Sequence, residues 1–332
     1  MRHGTQGVDE AWEEMRVHLV ADIGGTWSRL AWRNQCSDPP RMVRLSNRDY
    51  PSLGALLARG CERLGLEPAA VGQLILALPA PVTPGTECIP LTNIAWTASR
   101  SELQTLFPAA RIRLVNDFQA AALGVLPPAR AEPLQQGHSG PDHAVVVTGP
   151  GTGLGLAWIA DARQPDLPHA TEGGHSGFAP ETASQRALAE WLGTKFAFVS
   201  WERVVSGPGL AWIHAFLARQ QEPKVETPEI LRMAEAGDEA AMDSIRLWLS
   251  CLAAWVGNLA LLFKPGGGIY LTGGMTRHVA RWLDADFIDR INQRGVMSDV
   301  VRQTPIYRSL VEEPGIQGAL ALACLPKEDD DP

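Results

Sequence analysis

Lysine is scarce in this chain: only Lys195, Lys224, Lys264 and Lys327 occur, and 29 basic residues face 37 acidic ones for a formal net charge of −8. Such a surface offers no cationic stripe to follow a nucleic-acid backbone or an anionic membrane, so neither is expected as a partner and a small-molecule ligand is. None of the four lysines follows a glycine, and the missing Gly-Lys dipeptide rules out a Walker A loop. Cysteine is also sparse. Cys36, Cys61, Cys88, Cys251 and Cys324 are scattered, odd in number and never in a Cys-x-x-Cys pair. That spacing suggests neither a disulfide framework nor a zinc knuckle, so all five are expected as reduced thiols. The longest uncharged apolar stretch, Leu247 to Phe263, is interrupted by Ser250, Gly257 and Asn258 and barely approaches spanning length, which favours a buried core helix. Residues 1–16 are expected as a loose N-terminal extension, since they hold acidic residues and no apolar core of a signal peptide, and 327–332 as a solvated acidic tail.

What is present reads as a two-domain α/β enzyme. The chain of 332 residues is 45% hydrophobic and 20% charged, enough for two cores. Short runs rich in β-branched residues at 17–23, 73–78, 111–115, 143–149, 154–160 and 267–272 alternate with helical spacing at 98–107, 117–125, 183–198, 209–219 and 238–263. Leu126 to Asp142, with its prolines and glycines and no periodicity, is expected to connect a first lobe of about 17–127 to a second beginning near 143. Gly-rich turns after strand-like runs at Asp22, Thr148 and Leu271 give a faint hint of repetition.

Asp22-Ile23-Gly24-Gly25-Thr26 ends the first apolar run and precedes a second. Glycines let backbone N–H groups converge on phosphate oxygens, Thr26 adds a hydroxyl, and Asp22 could hold magnesium or its water shell; Gly-Gly also suits an ordinary hairpin. Thr148 to Gly155 repeats that chemistry. Its spacing fails the dinucleotide fingerprint, because Leu154 stands where the last glycine belongs. Asn116-Asp117 sits where a strand meets an Ala-rich helix, a place for helix caps and for a carboxylate that takes a proton from a hydroxyl. Glu172 and His175, separated by two glycines, could converge on a polyol, while Glu202, taken alone, reads first as a helix-end or salt-bridging residue. Gly266 to Met275 is a strand between glycine turns, suited to a flat ring or to a tight connection.

Taken in order, LVADIGGTWSRL (19–30), LTNIAWTAS (91–99), VNDFQ (115–119), GPGTGLG (149–155), EGGHSGFAP (172–180), ERVVSGPGL (202–210), GGIYLTGG (267–274) and PGIQGA (314–319) resemble the bacterial glucokinase family, within the actin-like and hexokinase-like ATPases. The resemblance implies a two-lobed α/β fold of the actin-like (ribonuclease H-like) type with a ligand cleft between lobes. It implies a small domain of 17–127 completed by a C-terminal helix near 314–326, and a large domain of 128–313. The implied reaction is ATP- and Mg2+-dependent phosphorylation of glucose, or of another hexose, at the 6-hydroxyl, by a cytoplasmic homodimer. Asp117 would be the general base, and Asn93, Asn116, Glu172, His175 and Glu202 would hold sugar hydroxyls. Gly24, Gly25, Thr26, Gly151, Thr152 and Gly153 would cradle phosphates, Gly273 and Gly274 would border the adenosine, and Asp22 would hold magnesium through water. A sugar-binding regulatory protein with weakened catalysis is the alternative. Trp27 stands where the family usually has Asn, and Gly177 where Asp is common. Loss of an amide beside the phosphate turn gives the expectation that Trp27→Asn lowers the ATP KM.

Overall fold

The computed structural model of the chain describes residues 17–92, 94–127, 129–137, 143–163 and 168–325. It divides into two compact units, one running to Gly124 and resuming at Glu312, the other from Val125 to Val311. The N-terminal extension, the acidic tail and Asn93 lie outside the described residues.

The first unit is built on a sheet of order β3-β2-β1-β4-β7. Its strands are β1 (Val17–Ile23), β2 (Trp27–Arg33), β3 (Arg41–Ser46), β4 (Val71–Leu78) and β7 (Arg111–Asn116), with β5 (Cys88–Pro90) and β6 (Thr97–Ser99) forming a separate ribbon. Strand β1 is central, antiparallel to β2 and parallel to β4, and Leu19, Val20, Ala21 and Ile23 are all fully buried. A strand covered on both faces is apolar without alternation, which explains the run from which it is legible. Helix α1 (Leu53–Leu64) is capped by Ser52, which accepts from Ala55 N–H, and ends at Gly65 in the left-handed region. Helix α2 (Arg100–Leu106) precedes β7, and α3 (Asp117–Gly124) follows it directly.

Helix α3 packs on the C-terminal helix (Pro314–Leu322) with almost no side chain between them. A methyl group at Gly318 would lie 1.6 Å from Ala120 O, and one at Gly124 would lie 2.0 Å from Pro314 O. The glycines let the two backbones touch, so the first turn of α3 lies directly on the C-terminal helix.

The second unit has a sheet of order β11-β10-β9-β12-β13-β8. Its strands are β8 (Ala131–Gln135), β9 (Val145–Pro150), β10 (Leu154–Ile159), β11 (His169–Thr171), β12 (Gly268–Leu271) and β13 (Ile306–Ser309). Its helices are α4 (Ala183–Gly193), α5 (Trp201–Val204), α6 (Gly207–Leu217), α7 (Thr227–Glu235), α8 (Glu239–Phe263), α9 (Gly273–His278), α10 (Ala285–Asn292) and α11 (Ser298–Arg302). The order β11-β10-β9-β12-β13 has the same pairing senses as β3-β2-β1-β4-β7: two antiparallel contacts, then two parallel ones. The glycine turns after β1 and β9 are thus equivalent hairpin turns. The third, after β12, is not: it opens α9 and differs in kind from the other two.

Helix α8 is the apolar stretch from the sequence, here a core helix. Trp248, Cys251, Leu252, Val256 and Leu259 along it are fully buried. Buried indoles need acceptors. Trp255 Nε1 donates to Thr148 Oγ1 at 3.0 Å and Trp248 Nε1 to Ser206 O at 3.0 Å, so the helix braces both the β9 turn and the start of α6.

Two expectations are corrected here. The connecting stretch Leu126 to Asp142 contains β8, an edge strand paired antiparallel with β13. Pro133 within it hid the strand, since proline is tolerated at a sheet edge but reads as a breaker. The five cysteines are also not all thiols, because Cys36, in the turn after β2, is disulfide-bonded to Cys324 beyond the C-terminal helix, with Cα atoms 5.9 Å apart across 288 residues of sequence. Spacing cannot show such a pair, which exists only because the chain end returns to the first unit. Arg33 adds to the same junction, donating to Cys36 O at 2.9 Å and to Leu320 O at 2.6 Å. Cys61 and Cys251 are buried free thiols, pushed by burial to about 11 and about 12, and hence unreactive. Cys88 is an exposed free thiol.

Candidate active site

In the first unit the hairpin between β1 and β2 turns at Gly24, Gly25 and Thr26, with Gly25 and Thr26 exposed at its tip. Gly24 N–H donates to Trp27 O at 3.2 Å. Asn47, just past β3, holds the turn from one side: its Nδ2 donates to Gly24 O at 2.7 Å, its backbone N–H to Thr26 O at 2.9 Å, and its Oδ1 accepts from Ser28 Oγ at 2.7 Å. Nothing in its sequence context marks Asn47, because the bonds depend on the β2–β3 register.

Asp22, the last residue but one of β1, stands opposite Arg29 in the hairpin register. Arg29 Nη1 lies 3.8 Å from Asp22 Oδ2, and its Nε donates to Glu313 Oε1 at 2.5 Å. Burial raises the Asp22 carboxyl from 3.8 to about 6; Arg29 opposes the shift and Glu313 adds to it. Gly315, in the first turn of the C-terminal helix, lies directly against this group, and a methyl there would come within 2.7 Å of Asp22 Cγ. Arg29 meets Asp22 through the hairpin register, whereas Glu313 and Gly315 arrive with the C-terminal helix, nearly 300 residues away in sequence.

At the junction of β7 and α3, Asn116 Oδ1 accepts from Phe118 N–H at 2.9 Å and its Nδ2 donates to Ala80 O at 3.1 Å. Both ends of this amide are engaged with backbone, so the cap role of Asn116 is the one the geometry displays. Asp117 Oδ1 accepts from the same Phe118 N–H at 2.8 Å. It stands half-buried at the carboxyl edge of the parallel pair β4–β7, where open α/β sheets present ligand-facing groups.

In the second unit the turn Gly151–Gly153 is closed by Gly151 N–H donating to Gly153 O at 2.8 Å. Thr148 Oγ1 donates to Gly155 O at 2.8 Å, and Gly207 N–H donates to Gly151 O at 2.8 Å, so α6 begins against the turn. Thr152 is exposed at the tip. Gly273, with φ of +91°, opens α9 beside Pro150, and a methyl there would lie 2.6 Å from Pro150 O; Gly274 follows it in the first helical turn.

Glu172, His175 and Glu202 come together in this unit. His175 Nε2 lies 3.8 Å from Glu172 Oε2 and its Nδ1 lies 3.8 Å from Glu202 Oε1. The short turn Gly173–His175 rests on β10, where a side chain at Gly174 would be 2.1 Å from Leu154 O. The glycines between Glu172 and His175 thus serve to lay the pair flat on the strand. Glu202 Oε2 accepts from Leu154 N–H at 2.9 Å. One carboxylate therefore belongs both to this polar group and to the glycine turn. Three hydrogen-bonding side chains around an open surface suit a polyhydroxylated ligand; among the described residues no group of three or more His, Cys, Asp or Glu is arranged to hold a metal ion.

Comparison with known proteins agrees in one direction. The glucokinase family model matches residues 19–325. A glucokinase from Marinobacter nauticus is 33% identical over 91% of this chain and 95% of its own length, and one from Chromohalobacter salexigens is 31% identical over 92% and 96%. The crystal structure of a glucokinase from an Antarctic psychrotroph superposes with a TM-score of 0.76 at 27% identity, covering 93% of this chain and 98% of that one.

Proposed function

The chain belongs to the glucokinase family and is an ATP-dependent sugar kinase of two-lobed actin-like ATPase fold, and from that premise we propose how its own residues divide the work. The observation that carries the reading is the Glu172–His175–Glu202 group, tied through Leu154 N–H to a phosphate-type glycine turn. Glu172, His175 and Glu202 hold sugar hydroxyls, joined by Asn93. Asp117 accepts the proton of the attacking 6-hydroxyl, and Asn116 fixes the helix start that presents it. The backbone of Gly24, Gly25 and Thr26 and of Gly151, Thr152 and Gly153 holds phosphate oxygens, while Gly273 and Gly274 border the nucleoside. Glucose is the acceptor and the cytoplasm the compartment, where the exposed Cys36–Cys324 bond is open to reduction. In phosphoryl transfer the protein chiefly positions the acceptor and stabilises charge, so fixed hydroxyl ligands and one base suffice.

Magnesium carried on the nucleotide supplies charge neutralisation at the transferring phosphoryl group. The donor set fits such an ion: Asp22, with Glu313 across Arg29 and no cluster of three or more ligand side chains among the described residues, suits Mg2+ that would keep its water and lean on substrate phosphates. Asp22 must be ionised to serve, and it loses its charge as pH falls through about 6. The expected outcome is that the ratio of ATP KM between Asp22→Asn and wild type is largest above pH 7 and shrinks towards one below about 6. Because the nucleotide's own titration is common to both proteins, the ratio isolates Asp22. A ratio constant across pH 5–8 at fixed free Mg2+ would remove Asp22 from this role.

The test of the sugar assignment is Glu172→Ala. It should raise the sugar KM at least about tenfold, since a lost charged hydrogen bond costs roughly 1.5–3 kcal/mol, and leave the ATP KM nearly unchanged. A change confined to the ATP KM would reverse the assignment.

A further inference from the structure

Trp27 is the residue at which the phosphate turn departs from expectation, and its surroundings give it a different task from the one an amide would have. The carbonyls of Gly24 and Thr26 are both taken by Asn47, which is itself only 4% exposed and ties Ser28 through its other amide atom. In a trans peptide the C=O of one residue and the N–H of the next point in opposite directions. With Gly24 C=O turned to Asn47, Gly25 N–H faces the opposite way. An amide at position 27 is therefore not needed to set the turn.

The indole of Trp27 instead points outward, 39% exposed, and the Arg44 guanidinium lies 4.2 Å from its ring centroid. Arg44 reaches there diagonally from the neighbouring strand, since Trp27 pairs with Ser46 and Arg29 with Arg44. Arg29 has carboxylates on both sides, Asp22 and Glu313, whereas Arg44 has no carboxylate partner among the described residues. A guanidinium held over an aromatic face keeps its in-plane N–H donors available for a planar or tetrahedral anion. It is held by the residue next to Thr26.

We propose that Trp27 is a platform that carries Arg44 to the phosphate turn, where its guanidinium binds the phosphate chain of the nucleotide. The inference rests on the assignment of the Gly24–Thr26 turn to nucleotide phosphates. It reverses the expectation drawn from sequence: Trp27→Asn removes the platform and gains nothing at the turn.

The experiment is steady-state kinetics with ATP and sugar varied in turn, beside equilibrium binding of ADP to the sugar-free protein and a thermal melt of each variant. Arg44→Met and Trp27→Asn should each raise the ATP KM and weaken ADP binding by a similar factor, roughly three- to tenfold, as loss of one partly exposed charged contact does. The double variant should be no worse than either, Trp27→Phe should retain most of the affinity, and the sugar KM should not move. Arg41→Met serves as control, because Arg41 lies 5.4 Å from the Trp32 ring in the same kind of contact at the far end of β3, and it should leave the ATP KM unchanged. A lower ATP KM in Trp27→Asn, or an unchanged one in a folded Arg44→Met, would overturn the proposal. A wild type that binds ADP yet phosphorylates no sugar would instead overturn the kinase roles and leave this inference standing on its binding data.

Discussion

Asp117→Asn is expected to lower kcat by ~10²-fold or more while the thermal midpoint stays where it is. The substitution is chosen because it separates two roles that share one side chain. As a cap, Asp117 offers Oδ1 to Phe118 N–H, and an Asn oxygen can accept the same bond in the same place. As a base it must take a proton, which an amide cannot do near neutral pH. A helix-capping residue would therefore survive the change, and a base would not. Steady-state kinetics should show the loss in kcat with the sugar KM little altered, the pattern of an interaction made in the transition state. Near-normal turnover would return Asp117 to a capping role.

Gly318→Ala is expected to destabilise the protein by about 1–2 kcal/mol, although alanine is the better helix former. Two effects compete. Relieving a helical glycine is worth up to about 1 kcal/mol. Against this, the new methyl would meet Ala120 O at 1.6 Å and Gly124 N at 2.9 Å, both backbone atoms of α3 that cannot rotate away. Overpacking of this kind costs roughly 1–3 kcal/mol and sometimes more, so the clash wins. The damage should extend to catalysis at temperatures where the variant is still folded. Spreading α3 from the C-terminal helix moves Asp117 at one helix start and Gly315, which lies on Asp22, at the other. Gly54→Ala provides the opposite sign in the same unit. That glycine is in α1 with only Ser52 Oγ at 4.0 Å from the new methyl, and the variant should melt no lower than wild type. Comparison of the two melting curves, with kcat measured below both midpoints, checks the argument; equal midpoints would refute the close-packed contact.

The central strands were legible because burial on both faces makes them continuous apolar runs, as in β1, β4 and β9. Of the edge strands, β7 was legible as the run at 111–115, whereas β3, β8 and β11 were not. β3 alternates Arg41, Val43 and Leu45 with Met42 and Arg44 beside solvent, and β8 carries a proline, so neither has a run to read. The site divided along the same line. Residues in local motifs, such as Asp22 with Gly24 to Thr26 or Glu172 with His175, announce themselves by spacing. Residues that reach the same places through tertiary structure do not: Asn47 arrives by strand register, Glu313 by the return of the C-terminal helix, and Cys324 finds Cys36 by the same return. At Trp27 the sequence alone suggests a lost amide; the tertiary structure adds the amide of Asn47, just past β3, and the guanidinium of Arg44 on β3, neither of which the motif shows.

The most direct test of the account is ADP release by the purified protein with ATP and Mg2+ across a panel of hexoses, with the phosphorylated product identified. The account predicts turnover on glucose with phosphate placed on the 6-hydroxyl, and none when the 6-hydroxyl is absent, as in 6-deoxyglucose. No turnover on any hexose, or phosphate placed elsewhere on the sugar, would contradict it.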